Sequence, residues 1–199
     1  MKLTFKQKAI LYGLVLGDGY LQRTGEKNAR LRLEHSYNQK EYMYWKYDQL
    51  KNVFADKPKK IARIHPKTKQ TYKYLRLQSH SSPIFGKLHT KLYDSTGKRK
   101  VTEDIKKLLK HPLSLAVWYM DDGYYYRRDK SAHIYIPLLP EDQIKLLIDA
   151  LLENCGLMPG WYCRPDRKGC QLNFVGKEKD KLFDCIRPYI LPCFNYKLP

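Results

Sequence analysis

One short pattern, an apolar run that closes on Asp-Gly, occurs twice in this chain, about half a chain apart. The first copy is Leu11-Tyr12-Gly13-Leu14-Val15-Leu16-Gly17-Asp18-Gly19, and the second is Leu115-Ala116-Val117-Trp118-Tyr119-Met120-Asp121-Asp122-Gly123. Each copy is typical of a buried helix followed by a turn, since Asp-Gly is common in turns. A pattern repeated at this distance indicates that the chain is built from two similar halves.

The segments that follow each copy are also similar. They alternate polar with apolar residues, as half-buried strands do, and helical stretches lie between them. The expected strands are 29–35, 61–65, 72–78, 131–137, 161–164 and 171–175, and the expected helices are 38–55, 81–93, 141–154 and 177–189. The order helix, two strands, helix, two strands, helix predicts an α+β fold of two αββαββα repeats. We place the repeats at 1–97 and 103–199, with a short linker at 98–102.

The charge of the chain is strongly positive, with 38 Lys and Arg against 20 Asp and Glu and a formal net charge of +18. Such an excess predicts a polyanion as the partner. Most of it lies in residues 1–100, which have 23 basic and 7 acidic residues. No run approaches the roughly 20 apolar residues of a membrane helix, and no apolar signal segment follows Met1, so neither a membrane partner nor secretion is expected.

The five cysteines all lie near the C-terminus, at Cys155, Cys163, Cys170, Cys185 and Cys193. A secreted disulfide framework would normally have an even number of cysteines spread through the chain. No Cys-x-x-Cys spacing is present, so a zinc site is also disfavoured. We therefore expect reduced thiols.

The polar residues of the expected strands are mostly arginine, tyrosine, glutamine and glutamate. These side chains contact phosphates and base edges, so one strand face predicts a nucleic-acid surface. Leu31, Leu33, Leu75 and Leu77 alternate with them and are expected to face the helices. The candidate DNA-binding residues are Arg30, Arg32, Glu34, Arg63, Tyr72, Tyr74, Arg76, Gln78, Arg127, Arg128 and Arg164.

The glycines of the two runs predict close helix packing and defined helix ends. Gly13 and Gly17 are four residues apart and share one helix face, where small side chains let another backbone approach. Gly19 and Gly123 are expected to end the two helices as left-handed caps. The two helices are therefore expected to pack side by side as the seam between the halves.

Two carboxylates, Asp18 and Asp122, would then lie at helix C-termini, where the helix dipole disfavours a negative charge by about 0.3–1 kcal/mol. Mutual repulsion would add to this cost if the helices pair. Bound divalent cations would offset both effects, because carboxylate oxygens are their usual protein ligands. The candidate metal ligands are Asp18, Asp122, the neighbouring Asp121 and Gly17. Gly17 occupies in the first copy the position that Asp121 has in the second.

The two runs resemble the paired motifs of the LAGLIDADG homing endonuclease family in its single-chain, two-repeat form. The segment Pro112–Gly123 and the tail Tyr196-Lys197-Leu198-Pro199 resemble the intron-encoded mitochondrial type. The resemblance implies an endonuclease that makes a double-strand break in a long asymmetric DNA target and promotes intron homing. It implies a monomer whose antiparallel sheets form a DNA-binding saddle, with Mg²⁺, or Mn²⁺ in its place, as cofactor. Mitochondrion, chloroplast and bacterial cytoplasm all stay open as compartments.

The resemblance also implies which residues act on the DNA. Basic residues lie around the metal site in the family, and Lys197 in the tail matches one such position. The other lies in the linker, where Arg99 is favoured and Lys98 or Lys100 is the alternative. Glu34 matches a polar position that orders water, and 134–139 has no counterpart, so unequal cutting of the two strands is expected. The catalytic candidates are Asp18, Asp122, Lys197, Arg99 and Lys100.

Three other functions can be weighed against this pattern. An intron maturase would use the same basic surface, with its 17 tyrosines, to bind intron RNA, because aromatic rings stack on unpaired bases. A DNA-binding regulator without cleavage would be expected to lack one acidic motif position, and both are present. An intein is not expected, because the chain opens with Met1 and ends at Pro199 without terminal splicing residues. The DNA target sequence does not follow from the chain alone.

Overall fold

Seven helices and eight strands form in the described part of the chain. The structure is a computed structural model, and it describes residues 2–164 and 168–199. The helices are α1 (Phe5–Leu16), α2 (Lys40–Gln49), α3 (Pro83–Leu92), α4 (Ile105–Leu108), α5 (Pro112–Asp122), α6 (Glu141–Cys155) and α7 (Gly176–Ile186). The strands are β1 (Tyr20–Arg23), β2 (Ala29–Ser36), β3 (Lys59–Ile64), β4 (Thr71–Gln78), β5 (Gly123–Tyr126), β6 (Ser131–Ile136), β7 (Gly160–Cys163) and β8 (Cys170–Phe174). Short 3₁₀ turns cover Tyr37–Gln39, Arg187–Tyr189 and Pro192–Lys197.

The strands form two antiparallel sheets with the same connectivity. Their orders are β1-β2-β4-β3 and β5-β6-β8-β7. Each sheet is interleaved with helices in the expected order, so the α+β fold class with two αββαββα repeats is confirmed. The sequence did not locate β1, β5 or α4, because each has only four residues and so short a segment shows no readable period.

By its internal packing the chain divides into two compact units. The first unit comprises Met1–Leu3 and Asp18–His89, and the second comprises Thr4–Gly17 and Thr90–Pro199. Helix α1 therefore belongs to the second unit, where it packs against α5. The division of the sequence into repeats at 1–97 and 103–199 stays a prediction.

The core of the first unit lies on one side of its sheet. Successive residues of β2 alternate between buried and half-buried, and the leucines of β2 and β4 are buried as expected. Helix α2 buries Tyr42 and Met43 and packs against both strands. The buried leucines of this sheet are Leu21, Leu31, Leu33, Leu75 and Leu77.

The second unit is built around α5, whose residues from Leu113 to Met120 are all buried. Its first turn begins at Pro112, whose missing N–H costs nothing at that position, and the Leu113 N–H donates to His111 Nδ1. Helix α1 starts with a capping box, in which Thr4 and Gln7 exchange side-chain and backbone hydrogen bonds. The helix starts are thus encoded locally, and the burial of α5 fixes its position.

One expectation about the cysteines is wrong. Cys163 and Cys170 form a disulfide between β7 and β8. The two residues are directly opposite in the antiparallel register, with Cα atoms 3.9 Å apart, so their side chains meet on the same face. Cys155, Cys185 and Cys193 lie outside this disulfide. Among the described residues, no helix is long and apolar enough to cross a bilayer.

Candidate active site and nucleic-acid interface

Helices α1 and α5 approach each other closely inside the second unit. A Cβ atom added at Gly13 would lie 2.5 Å from the Ser114 carbonyl oxygen and 2.6 Å from Val117 Cβ. Ser114 Oγ donates a hydrogen bond of 2.9 Å to the Ala9 carbonyl across the same interface. Only glycine fits at residue 13, so the predicted role of this small residue is confirmed.

The C-terminal end of α1 lies against Asp121 near the end of α5. A Cβ atom at Gly17 would stand 2.6 Å from Asp121 Oδ2. Gly17 is the residue that ends α1, and its N–H donates to the Gly13 carbonyl at 3.0 Å. Asp18 follows Gly17 directly in the chain, and Asp122 is the last residue of α5.

The helix ends differ from the expected left-handed caps. Helix α1 closes on Gly17 at φ −88° and ψ −128°, two residues before Gly19. Gly123 has φ −81° and ψ 153°, which is extended backbone that starts β5. Glycine is needed at residue 123 for space, because a Cβ atom there would lie 2.3 Å from Cδ2 of the Tyr119 ring. Strand β5 begins directly after α5, so Gly123 is already part of the strand, whereas three residues separate α1 from β1 and the helix closes on the first of them.

A basic side chain, Arg99, binds the C-terminal carbonyls of α1. Its guanidinium donates to the carbonyl oxygens of Val15, of Leu16 at 3.1 Å and of Gly17 at 3.0 Å. A cation at this end of a helix is favourable, because the last carbonyls carry partial negative charge. Of the three basic linker residues, Arg99 is thus shown at a motif-helix end, whereas Lys98 is exposed.

Lys197 binds the end of α5 in the same way. Its Nζ donates to the Met120 carbonyl at 2.7 Å and to the Asp121 carbonyl at 3.3 Å, and only 7% of the residue is exposed. The Lys197 carbonyl in turn accepts a 2.8 Å hydrogen bond from the Tyr119 hydroxyl. Burial raises the pKa of Tyr119 above its usual range, so this hydroxyl stays a donor. Each motif helix therefore ends on a basic side chain.

Replacing Lys197 with methionine is expected to destabilise the protein. The substitution keeps a similar volume but removes a charged donor, which leaves the Met120 and Asp121 carbonyls without it and costs about 1.5–3 kcal/mol. Urea denaturation followed by circular dichroism measures the change. Lys110→Met, at an exposed lysine of the same unit, is the matched control. Equal denaturation midpoints for the two variants would show that Lys197 does not support α5.

In the first unit, Asp18 faces a histidine that the sequence analysis missed. Asp18 Oδ2 lies 3.6 Å from His35 Nδ1, and His35 is 4% exposed whereas the Asp18 side chain is 42% exposed. A signal was present in the sequence, because His35 continues the buried stripe of Ala29, Leu31 and Leu33 along β2. A polar residue in an apolar stripe indicates a specific partner.

The strand pairing brings the predicted DNA-binding residues of the first half to one side of the first sheet. Directly opposed residues of an antiparallel pair point to the same side, so the register defines this surface, which we call the first face. Its members are Tyr20, Gln22, Arg30, Arg32, Glu34, Lys59, Ile61, Arg63, Tyr72, Tyr74, Arg76 and Gln78. All eight first-half candidates lie on it.

Glu34 lies at the centre of an ion-pair cluster on the first face. Its Oε2 accepts from Nε and Nη2 of Arg76 at 3.0 and 2.9 Å, and its Oε1 lies 2.7 Å from Nη2 of Arg63. Arg30 is similarly oriented by a 2.9 Å hydrogen bond from its Nε to Gln22 Oε1. These contacts hold the guanidinium groups in place on the sheet. The water-ordering role expected for Glu34 stays a prediction.

The second sheet presents a surface of different chemistry, the second face. Its members are Tyr124, Tyr126, Ser131, His133, Tyr135, Tyr162, Gln171 and Asn173. The four strands contain no lysine or arginine. The predicted residues Arg127, Arg128 and Arg164 are exposed and lie beyond the strand ends, and Arg128 pairs with Asp129 at 2.8 Å. The first face is thus rich in arginine, and the second face is rich in tyrosine and neutral hydrogen-bonding groups.

Comparison with known proteins identifies the family. A family model described as the LAGLIDADG DNA endonuclease family matches residues 8–173. RecA of Mycolicibacterium flavescens is 27% identical over 99% of this chain and 47% of its own length. Cytochrome b mRNA maturase bI2 of Saccharomyces cerevisiae is 26% identical over 96% of this chain and 46% of its own length. The chain spans about half the length of these curated relatives.

A solved structure shares the fold over the whole chain. The homing endonuclease I-WcaI bound to its DNA recognition sequence has a TM-score of 0.87 and 21% identity, and the match covers 100% of this chain and 88% of that chain. The resemblance drawn from the two Asp-Gly runs is therefore confirmed. Because the family model spans most of the sequence and the fold agrees, this chain belongs to the LAGLIDADG DNA endonuclease family.

Proposed function

We propose that this chain is a site-specific DNA endonuclease that makes a double-strand break by metal-dependent hydrolysis. The observation that carries the proposal is the construction of the two motif-helix ends. Each end combines an aspartate at the acidic motif position, Asp18 or Asp122, with a basic side chain on the helix carbonyls, Arg99 or Lys197. The basic side chains are favourable at a helix C-terminus, but an aspartate there is unfavourable because the last carbonyls carry partial negative charge, so a purely structural role does not explain the aspartates.

The donor set fits Mg²⁺, with Mn²⁺ as a substitute. Asp18, Asp121 and Asp122 offer carboxylate oxygens, which these hard cations prefer, and all three residues are at least partly exposed. A bound ion would activate a water molecule and neutralise charge on the scissile phosphate. The aspartates would hold the ion. Arg99 and Lys197 would keep the helix ends in position and bring positive charge close to the phosphate.

The two faces would bind double-stranded DNA in unequal ways. Arginine forks on the first face suit phosphates and guanine edges, whereas tyrosine, asparagine and glutamine on the second face suit base edges with little phosphate attraction. The excess of basic residues in 1–100 agrees with this difference. A single chain with two unlike faces fits a long asymmetric target, read by a monomer. Intron homing is the biological role that we infer for such a cut.

The second candidate function is that of an RNA-binding maturase that assists intron splicing. The similarity to a cytochrome b mRNA maturase favours it, and exposed tyrosines such as Tyr124, Tyr126 and Tyr162 could stack on unpaired bases. Competition between labelled target DNA and structured intron RNA for the purified protein separates the two functions. Preferential binding of the RNA, without DNA cleavage, would support the maturase.

The metal dependence of the proposed cleavage is tested by exchanging the ion. With Mg²⁺ we expect a double-strand break, and with Ca²⁺ we expect DNA binding without turnover, because the larger ion adopts a looser coordination geometry. Gel shift and plasmid linearisation measure binding and cutting on the same samples. Efficient cutting in Ca²⁺, or in the presence of EDTA, would contradict the mechanism.

A further inference from the structure

A lysine is completely buried beside the histidine that faces Asp18. Lys46 on α2 has no exposed surface. Its Nζ lies 2.6 Å from His35 Nε2 and 3.9 Å from the centroid of the Tyr42 ring. Burial of an ammonium group is costly unless it is hydrogen bonded, so these contacts must matter for the fold or for the site.

The chemistry of the lysine fixes the direction of the hydrogen bond. In its ordinary ammonium state Lys46 has three N–H donors and no acceptor, so in this state His35 Nε2 accepts the hydrogen bond. The single proton of the neutral imidazole is then on Nδ1. That nitrogen lies 3.0 Å from Gln39 Oε1, which is hydrogen-bond distance, and 3.6 Å from Asp18 Oδ2, which is a longer electrostatic contact.

From this geometry we propose that Lys46 is a positioning residue that acts through His35 on Asp18. With the proton on Nδ1, the positive end of the N–H dipole lies towards the Asp18 carboxylate and attracts it, which favours one orientation of that carboxylate. With the proton on Nε2, the ring would instead present a lone pair to Asp18 Oδ2, which is repulsive at 3.6 Å. The proposal rests on the proposed function, because the orientation of Asp18 matters only if Asp18 holds the metal ion.

Metal sites in proteins generally depend on the groups behind the ligands as well as on the ligands themselves. Groups that hydrogen bond to a metal ligand, or to the residue behind it, fix its orientation, and their loss costs about 10–100-fold in metal affinity or activity. In this chain the buried Lys46 contacts the buried His35, which in turn contacts the partly exposed Asp18 carboxylate. All three residues lie within the first unit.

The first test needs no metal and no DNA. Imidazole ¹⁵N NMR of the full chain reports which nitrogen of His35 carries the proton, and His35→Gln assigns the signal among the six histidines. We expect protonation at Nδ1 in the unmodified protein and in Lys46→Arg, and a shift towards Nε2 in Lys46→Met. Lys40→Met, at an exposed lysine on the same helix, should leave the spectrum unchanged. A proton on Nε2 in the unmodified protein would overturn the proposal, even if Lys46→Met does not fold.

The second test measures the effect on the metal. In Lys46→Met the Mg²⁺ concentration for half-maximal cleavage should rise by about tenfold or more. DNA affinity in Ca²⁺ should stay close to that of the unmodified protein. A normal Mg²⁺ requirement would overturn the positioning role. If the unmodified protein cuts no DNA, the proposed function fails, whereas the NMR result still decides how Lys46 acts on His35.

Discussion

Replacing either Asp18 or Asp122 with asparagine should abolish double-strand cleavage while DNA binding is largely retained. Asparagine keeps the shape of the side chain but removes the negative charge that we propose holds the cation. A metal ion contributes several kcal/mol to stabilising the transition state, so its loss slows cleavage by roughly a thousandfold or more. Binding should persist, because the arginines of the first face are untouched. Plasmid linearisation and gel shift in Mg²⁺ measure the two effects.

A matched control separates the site from a general loss of negative charge. Asp142→Asn makes the same chemical change at an exposed position in the first turn of α6 and should cut normally. Nicking without linearisation by either motif variant would still fit the account, because the double-strand break would be lost. Full cutting by both variants would remove the metal assignment altogether.

The second large effect is expected at Gly13, where alanine should destabilise the protein. In an isolated helix this change would be stabilising by about 1 kcal/mol, because alanine has the higher helix propensity. Here the new Cβ would lie 2.5 Å from the Ser114 carbonyl and 2.6 Å from Val117 Cβ, so α1 and α5 must separate. Overpacking of this kind costs about 1–3 kcal/mol or more, which exceeds the gain. Urea denaturation measures the free energy of unfolding.

The comparison for Gly13 is a glycine with free space around it. No atom within 4 Å would meet a Cβ at Gly160, so Gly160→Ala should leave the unfolding free energy nearly unchanged. Gly13→Ala should also reduce cleavage, because the helix ends that carry the site would move. An unfolding free energy for Gly13→Ala equal to or above that of the unmodified protein would contradict the close packing of α1 and α5.

The sequence predicted the fold well because its signals are local and repeated. Two Asp-Gly runs with similar strands after them specify two copies of one topology, and the alternation along β2 and β4 specifies which face is buried. The four-residue strands β1 and β5 carry too little pattern to be located. They form because they pair with β2 and β6, which is a tertiary effect.

The site was predicted less completely because its contacts join residues that are distant in sequence. Arg99 and Lys197 were expected among the basic residues of the site, but their hydrogen bonds to helix carbonyls depend on packing. Nothing in the sequence distinguishes Lys46 from the other lysines, and only the fold brings it to His35. The disulfide was missed for the same reason, since strand register and not spacing places Cys163 opposite Cys170.

The measurement that tests the central claim most directly is cleavage selection from a library of randomised double-stranded DNA in Mg²⁺. We predict that one long asymmetric sequence is enriched among linear products with a constant overhang. Enrichment should disappear in EDTA and with Asp18→Asn. If folded protein that binds DNA yields no enriched cleaved sequence, or if Asp18→Asn yields the same products at the same rate, the chain is not the metal-dependent endonuclease that its two motif helices indicate.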